Sequence, residues 1–263
     1  MTAPPLVGFS ALELTCTPAG AFCGRLLADL GFDVLKVEPP DGDPARRRGS
    51  FPGGFPDDEA SGAFLFLNAG KRSLTLDLET ATGGEIAARL AARVDVVVEE
   101  LSPGVLALES VANLVVVSLT AFGRNGQRRE WKAKPLTTCH AAGFVAGNPP
   151  AAPPGLGGEL RCGLVAAVAC LRALGRRETT GGERVDISKT EALASFAPHR
   201  SNPSKATYAT VVHPVAGKLR IPSLFADAEL RPAPLLGQHN AEVLGGLGFD
   251  AAETGLLVGT GIV

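Results

Sequence analysis

The chain has 263 residues, 45% of them apolar and 20% charged, with a formal net charge of −2. This is the composition of a globular protein with one large domain or two small ones. The near-neutral balance excludes the basic footprint of a nucleic-acid binder, and no apolar run is long enough to span a membrane. No charged-then-apolar leader opens the sequence. Cys16, Cys23, Cys139, Cys162 and Cys170 are scattered without a CxxC pair, and His140, His199, His213 and His239 lack ligand spacing. Neither a metal site nor a disulfide framework is expected, and a reducing cytoplasm is the expected compartment.

The chain opens with an alternating strand over Leu6–Leu14, and Pro18 suits a first helical position. Phe22, Leu26, Leu27 and Leu30 recur at helical spacing over Ala21–Leu30, and Gly31 ends that helix. Phe32–Val37 is a second strand, so the unit is βαβ and the sheet parallel. The loop that follows lies at the carboxyl end of a strand, where open α/β sheets bind ligands. It carries Arg46-Arg47-Arg48, which can clamp phosphates or form a solvated basic loop offset by nearby acids. Further on come a strand at Leu74–Leu78, a helix at Thr80–Arg93 and two buried strands at Val94–Glu99 and Leu114–Thr120. Residues Thr137–Gly143 are short and apolar around His140.

A Pro/Gly loop over Asn148–Gly158 leads to Gly157-Gly158-Glu159-Leu160-Arg161-Cys162-Gly163 and an apolar helix, Leu164–Leu174, ending at Gly175. Glycines let a backbone approach a ligand, and a helix N-terminus favours a carboxylate. Glu159 is therefore placed either to attack something or merely to cap its helix. Glu183–Ile187 is a strand, and Ser188-Lys189-Thr190-Glu191 has a capping-box pattern. After Phe196 periodicity fades until the tail, where a short helix is expected near Glu242–Leu247.

Six segments in order then carry a resemblance: AGAFCGRLLADLGFDVLKVEPPDGDPARR, NAGKRSLTLDL, DVVVEELSPGVL, VVVSLTAFGRNG, ETTGGERVDISKTEAL and APLLGQHNAEVLGGLGF. Together they resemble the family III (CaiB/BaiF) CoA-transferases, the group of formyl-CoA and carnitine CoA-transferases and α-methylacyl-CoA racemases. The resemblance implies an α/β fold with a Rossmann-like open parallel sheet flanked by helices, a smaller second domain, and two chains interlocked into a dimer. It implies an acyl-CoA:carboxylate CoA-transferase acting through a carboxylate that forms an acyl anhydride and then a CoA thioester. Coenzyme A or acyl-CoA enters as substrate with a small organic acid, and no tightly bound cofactor is implied. The carboxylate maps onto Glu159, where the family has an aspartate. His140 lies where transferases often carry a glutamine, and would polarise a carbonyl, orient Glu159 or simply pack. CoA contacts are implied at Thr17, Pro18, Arg46, Arg47, Lys71, Arg72, Leu76 and Leu101.

The sequence departs from the family at several points. Pro39 and Leu108 stand where basic residues are common, and the racemase histidine expected near Lys134-Pro135 is absent. The domain plan implied is 1–196 for the large domain, 197–210 for a shortened link in place of most of the small domain, and 211–263 for the return to the large domain. A minimal form, walls borrowed from a partner chain and a degenerate copy all fit that shortening. The rival readings are a non-catalytic or weakly active subunit, homo- or hetero-oligomeric with a longer paralogue, and a racemase-type isomerase.

Overall fold

A computed structural model describes residues 4–102, 104–106, 108, 111–145, 155–196, 208–213, 217–222 and 233–263. The remaining residues, among them most of the 148–158 loop, His199 and nearly all of the 197–210 link, lie outside the described set. Six parallel strands form one sheet in the order β3-β2-β1-β4-β5-β6. They are β1 (Ser10–Leu14), β2 (Asp33–Glu38), β3 (Arg72–Thr75), β4 (Val96–Glu99), β5 (Val115–Thr120) and β6 (Glu183–Ser188). This is the doubly wound order, whose direction of winding reverses between β1 and β4. A separate antiparallel hairpin pairs β7 (Tyr208–His213) with β8 (Gly217–Pro222). Position 211 falls inside this hairpin; further on, Ala233 packs on Phe64 and Leu65, and Leu236 N donates to Glu59.

The inner strands are buried along nearly their whole length, with alternate residues facing opposite clusters, as a sheet covered on both faces requires. Val96, Val98, Val115 and Val117 face a cluster with α1 (Pro18–Asp29) and α5 (Gly157–Thr180). Val97 and Val116 face the opposite cluster with α3 (Ala81–Ala91), α7 (Asn240–Gly246) and α8 (Ala251–Gly259). Three shorter elements are α2 (Gly62–Asn68), α4 (Pro135–Ala141) and α6 (Lys189–Ala194). The α5 helix is longer than its apolar run: it continues through Gly175 and stops at Gly181, whose φ of 69° closes it. In the polar final turns Arg177 pairs with Asp95 at 2.6 Å and lies 5.7 Å from the Phe9 ring centre. The α8 helix had no apolar stripe to announce it, and it is held by a capping box between Asp250 and Glu253. Among the described residues no helix is long and apolar enough to cross a membrane.

Helices α1 and α5 approach closely because Gly163 lacks a side chain. A Cβ there would lie 2.4 Å from the Ala19 carbonyl oxygen, a backbone atom. Within the sheet, charge is buried as well. Glu13 and Lys36, register partners on β1 and β2, pair at 2.9 Å, and Lys71 meets the other Glu13 oxygen at 2.6 Å. Lys36 also pairs with Asp43 at 2.8 Å and donates to the Thr15 carbonyl at 2.9 Å. Lys71 completes its three donations to Ala21 O and Asn68 Oδ1. Burial pushes the Glu38 and Asp43 carboxyls upward, but Arg46 at Glu38 and Lys36 at Asp43 outweigh it and hold both below the usual range.

Two tests follow from this packing. Gly163→Ala is expected to destabilise by about 1–3 kcal/mol by overpacking the α1 seam. Gly175→Ala, in an exposed part of the same helix with open space around it, is expected to stabilise by about 0.5–1 kcal/mol. Urea midpoints compare the two, and equal effects at both sites would contradict the seam. Lys36→Met leaves Glu13 and Asp43 short of a buried partner and is expected to cost about 3–5 kcal/mol. The lowered Glu38 and Asp43 values contribute stability that is present above about pH 4.5 and lost as the pH falls through the folded values. Urea midpoints in the wild type should therefore drop in that acid window, which a titration from pH 7 to 3 checks.

Candidate active site

The carboxyl ends of β1 and β4 open onto a crevice, as expected at the reversal of strand order. After β1 the chain turns at Thr17, whose hydroxyl caps α1 through Gly20 N at 3.5 Å. Gly20 is required there, since a Cβ would sit 2.3 Å from the Thr15 hydroxyl. After β4, Glu99 Oε2 accepts from Leu101 N at 2.7 Å, while Ser118 and Arg124 hold its other oxygen. That turn carries Glu100 and Leu101 to the crevice. Two cavities meet here and share Cys16, Thr17, Glu100, Leu101 and Ser102. One, of about 670 Å³, runs toward Glu159, Lys189 and Trp131. The other, of about 1040 Å³, runs over Pro39, Leu76 and Leu78.

Glu159 lies in the first turn of α5 and is 7% exposed. It does not cap its helix: the start of α5 has no side-chain cap, and Glu159 Oε2 instead faces Lys189 Nζ at 3.4 Å. Gly158 beside it gives room to Cys139, whose sulfur would lie 3.2 Å from a Cβ at that position. Lys189 is the first residue of α6, which is opened by the Ser188 hydroxyl on Glu191 N at 3.2 Å. Its ammonium also pairs with Glu100 Oε1 at 2.7 Å and reaches Thr17 Oγ1 at 3.1 Å, and Thr17 in turn donates to Glu100 at 2.7 Å. Two carboxylates thus share one ammonium in a largely dehydrated corner.

The shifts follow from that geometry. Burial raises the Glu100 carboxyl above its ordinary range, and Glu159 adds to this against the pull of Lys189 and Thr17. Burial pulls the Lys189 ammonium down, but Glu100 and Glu159 more than reverse it, so it stays charged. Burial pushes the Cys16 and Cys162 thiols up to about 12 and raises Cys139, with Glu159 adding at Cys162 and Cys139. None of these thiols is a thiolate nucleophile near neutral pH.

The expected site residues divide into two groups. Glu159, Thr17 and Pro18 line the smaller cavity, and Thr17, Leu76 and Leu101 line the larger one. Four cations expected at phosphates are engaged elsewhere. Arg46 is 1% exposed, gripped by both Glu38 oxygens at 2.7 and 2.8 Å and by Glu59, with its guanidinium 3.7 Å from the Phe64 ring centre. Lys71 is enclosed in the Glu13 cluster, and its ammonium is lowered to about 8 by burial. Arg72, at the start of β3 and so at the opposite edge of the sheet, pairs with Asp33 and Glu242. Arg47 is half exposed and pairs with Asp41. His140 is not among the cleft residues. Its neighbours Thr138 and Cys139 are, and His140 Nε2 is buried without a partner among the described residues. Glu100 and Lys189 were missed from sequence. Glu100 follows a strand end, which is a usable signal, but Lys189 reads only as part of a helix start. Among the described residues no group of His, Cys, Asp and Glu side chains could hold a metal ion.

Known proteins resemble this chain in sequence and in fold. The family model for CoA-transferase family III matches residues 6–217. The chain is 35% identical over 190 residues to the succinyl-CoA:(R)-benzylsuccinate CoA-transferase subunit BbsE of Thauera aromatica, covering 66% of this chain and 46% of that protein. It is 34% identical to the succinyl-CoA–D-citramalate CoA-transferase of Chloroflexus aurantiacus, covering 73% and 51%. The crystal structure of Rv3272 from Mycobacterium tuberculosis matches with a TM-score of 0.64 at 32% identity, covering 78% of this chain and 62% of that one. The chain spans about half the length of the curated relatives it matches. With its doubly wound sheet, its crevice at the β1–β4 reversal and a match over residues 6–217, the chain belongs to CoA-transferase family III.

Proposed function

We propose that this chain performs acyl-CoA:carboxylate CoA transfer with Glu159 as nucleophile. The observation that carries the reading is a single carboxylate at the start of α5, facing the crevice with an ammonium beside it. A Glu159 oxygen attacks the thioester carbon, the C–S bond breaks, and CoA leaves as thiolate. The thiolate attacks the Glu159 carbonyl of the anhydride and expels the donor acid, giving a glutamyl-CoA thioester. The acceptor carboxylate attacks that thioester and forms a second anhydride, releasing CoA thiolate. The thiolate then attacks the acceptor's acyl carbon, forming the new acyl-CoA and restoring the Glu159 carboxylate. Every step exchanges an activated acyl group between O and S, so no external energy is required. Exclusion of water protects the anhydride.

In this reading the larger cavity, with Thr17, Leu76 and Leu101, receives CoA, and Pro18 borders the acyl side. Arg47 is the remaining candidate among the expected phosphate contacts, since its exposed pair with Asp41 is weak. The domain plan keeps 1–196 as the catalytic unit with a smaller domain reduced between it and the tail. A dimer completes the site, and the five free thiols fit a reducing cytoplasm. The coverage of about half of each relative, and the naming of one relative as a subunit, favour a second reading. In it the chain works as one subunit of a hetero-oligomer beside a longer paralogue.

Glu159→Gln is expected to lower the transfer rate by on the order of 10³-fold or more. Glu159→Asp withdraws the carboxylate from Lys189 by a methylene and is expected to cost about 10²-fold. Intact-protein mass spectrometry after incubation with acyl-CoAs should show a CoA adduct in the wild type. Hydroxylamine should convert that adduct to a hydroxamate at Glu159. An adduct that persists in Glu159→Gln would refute the assignment.

A further inference from the structure

Glu159 shares its ammonium unequally. Lys189 sits 2.7 Å from Glu100 and 3.4 Å from Glu159, so its shorter contact is with the carboxylate that the transfer chemistry does not use. Both contacts are enclosed, with the three side chains between 9% and 11% exposed. Glu100 Oε2 is buried and has no hydrogen-bond partner among the described residues. The groups facing Glu159 come from five elements: Thr17 at α1, Glu100 after β4, Cys139 on α4, Cys162 on α5 and Lys189 on α6. The two thiols are neutral, so among these five groups Glu100 and Lys189 carry the charge; Arg48, Arg129, Glu130, Lys132 and Lys134 line the same cavity.

We propose that Lys189 is a positioning residue divided between two carboxylates: it aims Glu159 and pairs with its charge in the resting site, and falls back onto Glu100 when Glu159 is acylated. This rests on Glu159 being the nucleophile. The reason is charge balance in a dehydrated corner. At rest, Glu100, Glu159 and Lys189 sum to −1. In the anhydride and in the thioester Glu159 is uncharged, and the remaining pair sums to zero. Without Glu100, each covalent intermediate would leave an unpaired buried ammonium, an arrangement that is strongly unfavourable. Without Lys189, two neighbouring carboxylates would compete for a proton, and Glu159 would lose nucleophilicity. The Thr17 hydroxyl, donating to Glu100 and accepting from Lys189, ties the pair to the N-terminus of α1.

The experiment is carbon-13 NMR of protein labelled at glutamate carboxyls, with the Glu159 resonance assigned by its loss in Glu159→Gln and followed from pH 3 to 9. Lys189→Met is expected to raise the Glu159 midpoint by about 1–2 pH units. Glu100→Gln, which leaves Lys189 to Glu159 alone, is expected to lower it by up to about one unit. Lys189→Arg should hold it near the wild-type value, and thermal melting confirms that each variant is folded. The acid limb of the transfer rate should move with the midpoint. Shifts of opposite sign support the division. Unmoved midpoints overturn it, as do shifts of the same sign, which would report altered burial alone. Should Lys189→Met fail to fold, Glu100→Gln decides: a midpoint that does not fall overturns the proposal. Opposite shifts without transfer from any acyl-CoA would keep the charge division and remove the nucleophile. Glu159-dependent transfer with fixed midpoints would do the reverse.

Discussion

Glu13 binds two ammonium groups inside the sheet, and much of the crevice depends on that contact. Lys36 and Lys71 each find three acceptors, so neither buried cation is left short of a hydrogen bond. Gly24 makes the arrangement possible, because a Cβ on α1 would stand 2.0 Å from a Glu13 oxygen. Buried ion pairs add little net stability, but removing one partner strands a charge. The cluster therefore acts mainly as a constraint. It fixes β1 against β2, the start of β3 against α1, and Asp43 beneath the loop that borders the smaller cavity.

A second set of ion pairs extends this frame along the same loop. Arg46 joins Glu38 at the end of β2 to Glu59 and to the Pro234 carbonyl, and Ser73 meets Glu38 from β3. His239 and Asn240 bind Ser73 and Thr75, so the tail is fastened to the edge strand by specific hydrogen bonds. Burial lowers the His239 imidazole, and the Arg72 charge nearby lowers it further. Cations that would suit phosphates by composition hold the scaffold together instead. Around Glu159 the crevice keeps the Glu100–Lys189 pair, while Arg48, Arg129, Lys132 and Lys134 line the same cavity.

The fold was legible in the sequence to a large degree. Thr17-Pro18 announced the start of α1, Gly31 with φ of 105° its end, and the valine runs of β4 and β5 their double burial. These signals are local, since capping, backbone freedom and apolar periodicity act within a few residues. Errors came where distant contacts override local preference. The α5 helix runs on through Gly175 and two arginines.

By itself, the sequence determined the parallel α/β order, the family and the placing of Glu159 at the start of a helix. These depend on patterns and motifs carried by contiguous residues. Only the tertiary structure decided which charges meet. Glu100, Glu159 and Lys189 lie far apart in the chain and come together because the end of β4 and the starts of α5 and α6 meet at the carboxyl edge of the sheet. The same folding leaves Arg46, Lys71 and His140 off the walls of the crevice. A residue's type is written in the sequence, but its partner and its exposure to water depend on distances between elements. Those two quantities decide whether a lysine binds a phosphate, braces a strand or steadies a nucleophile.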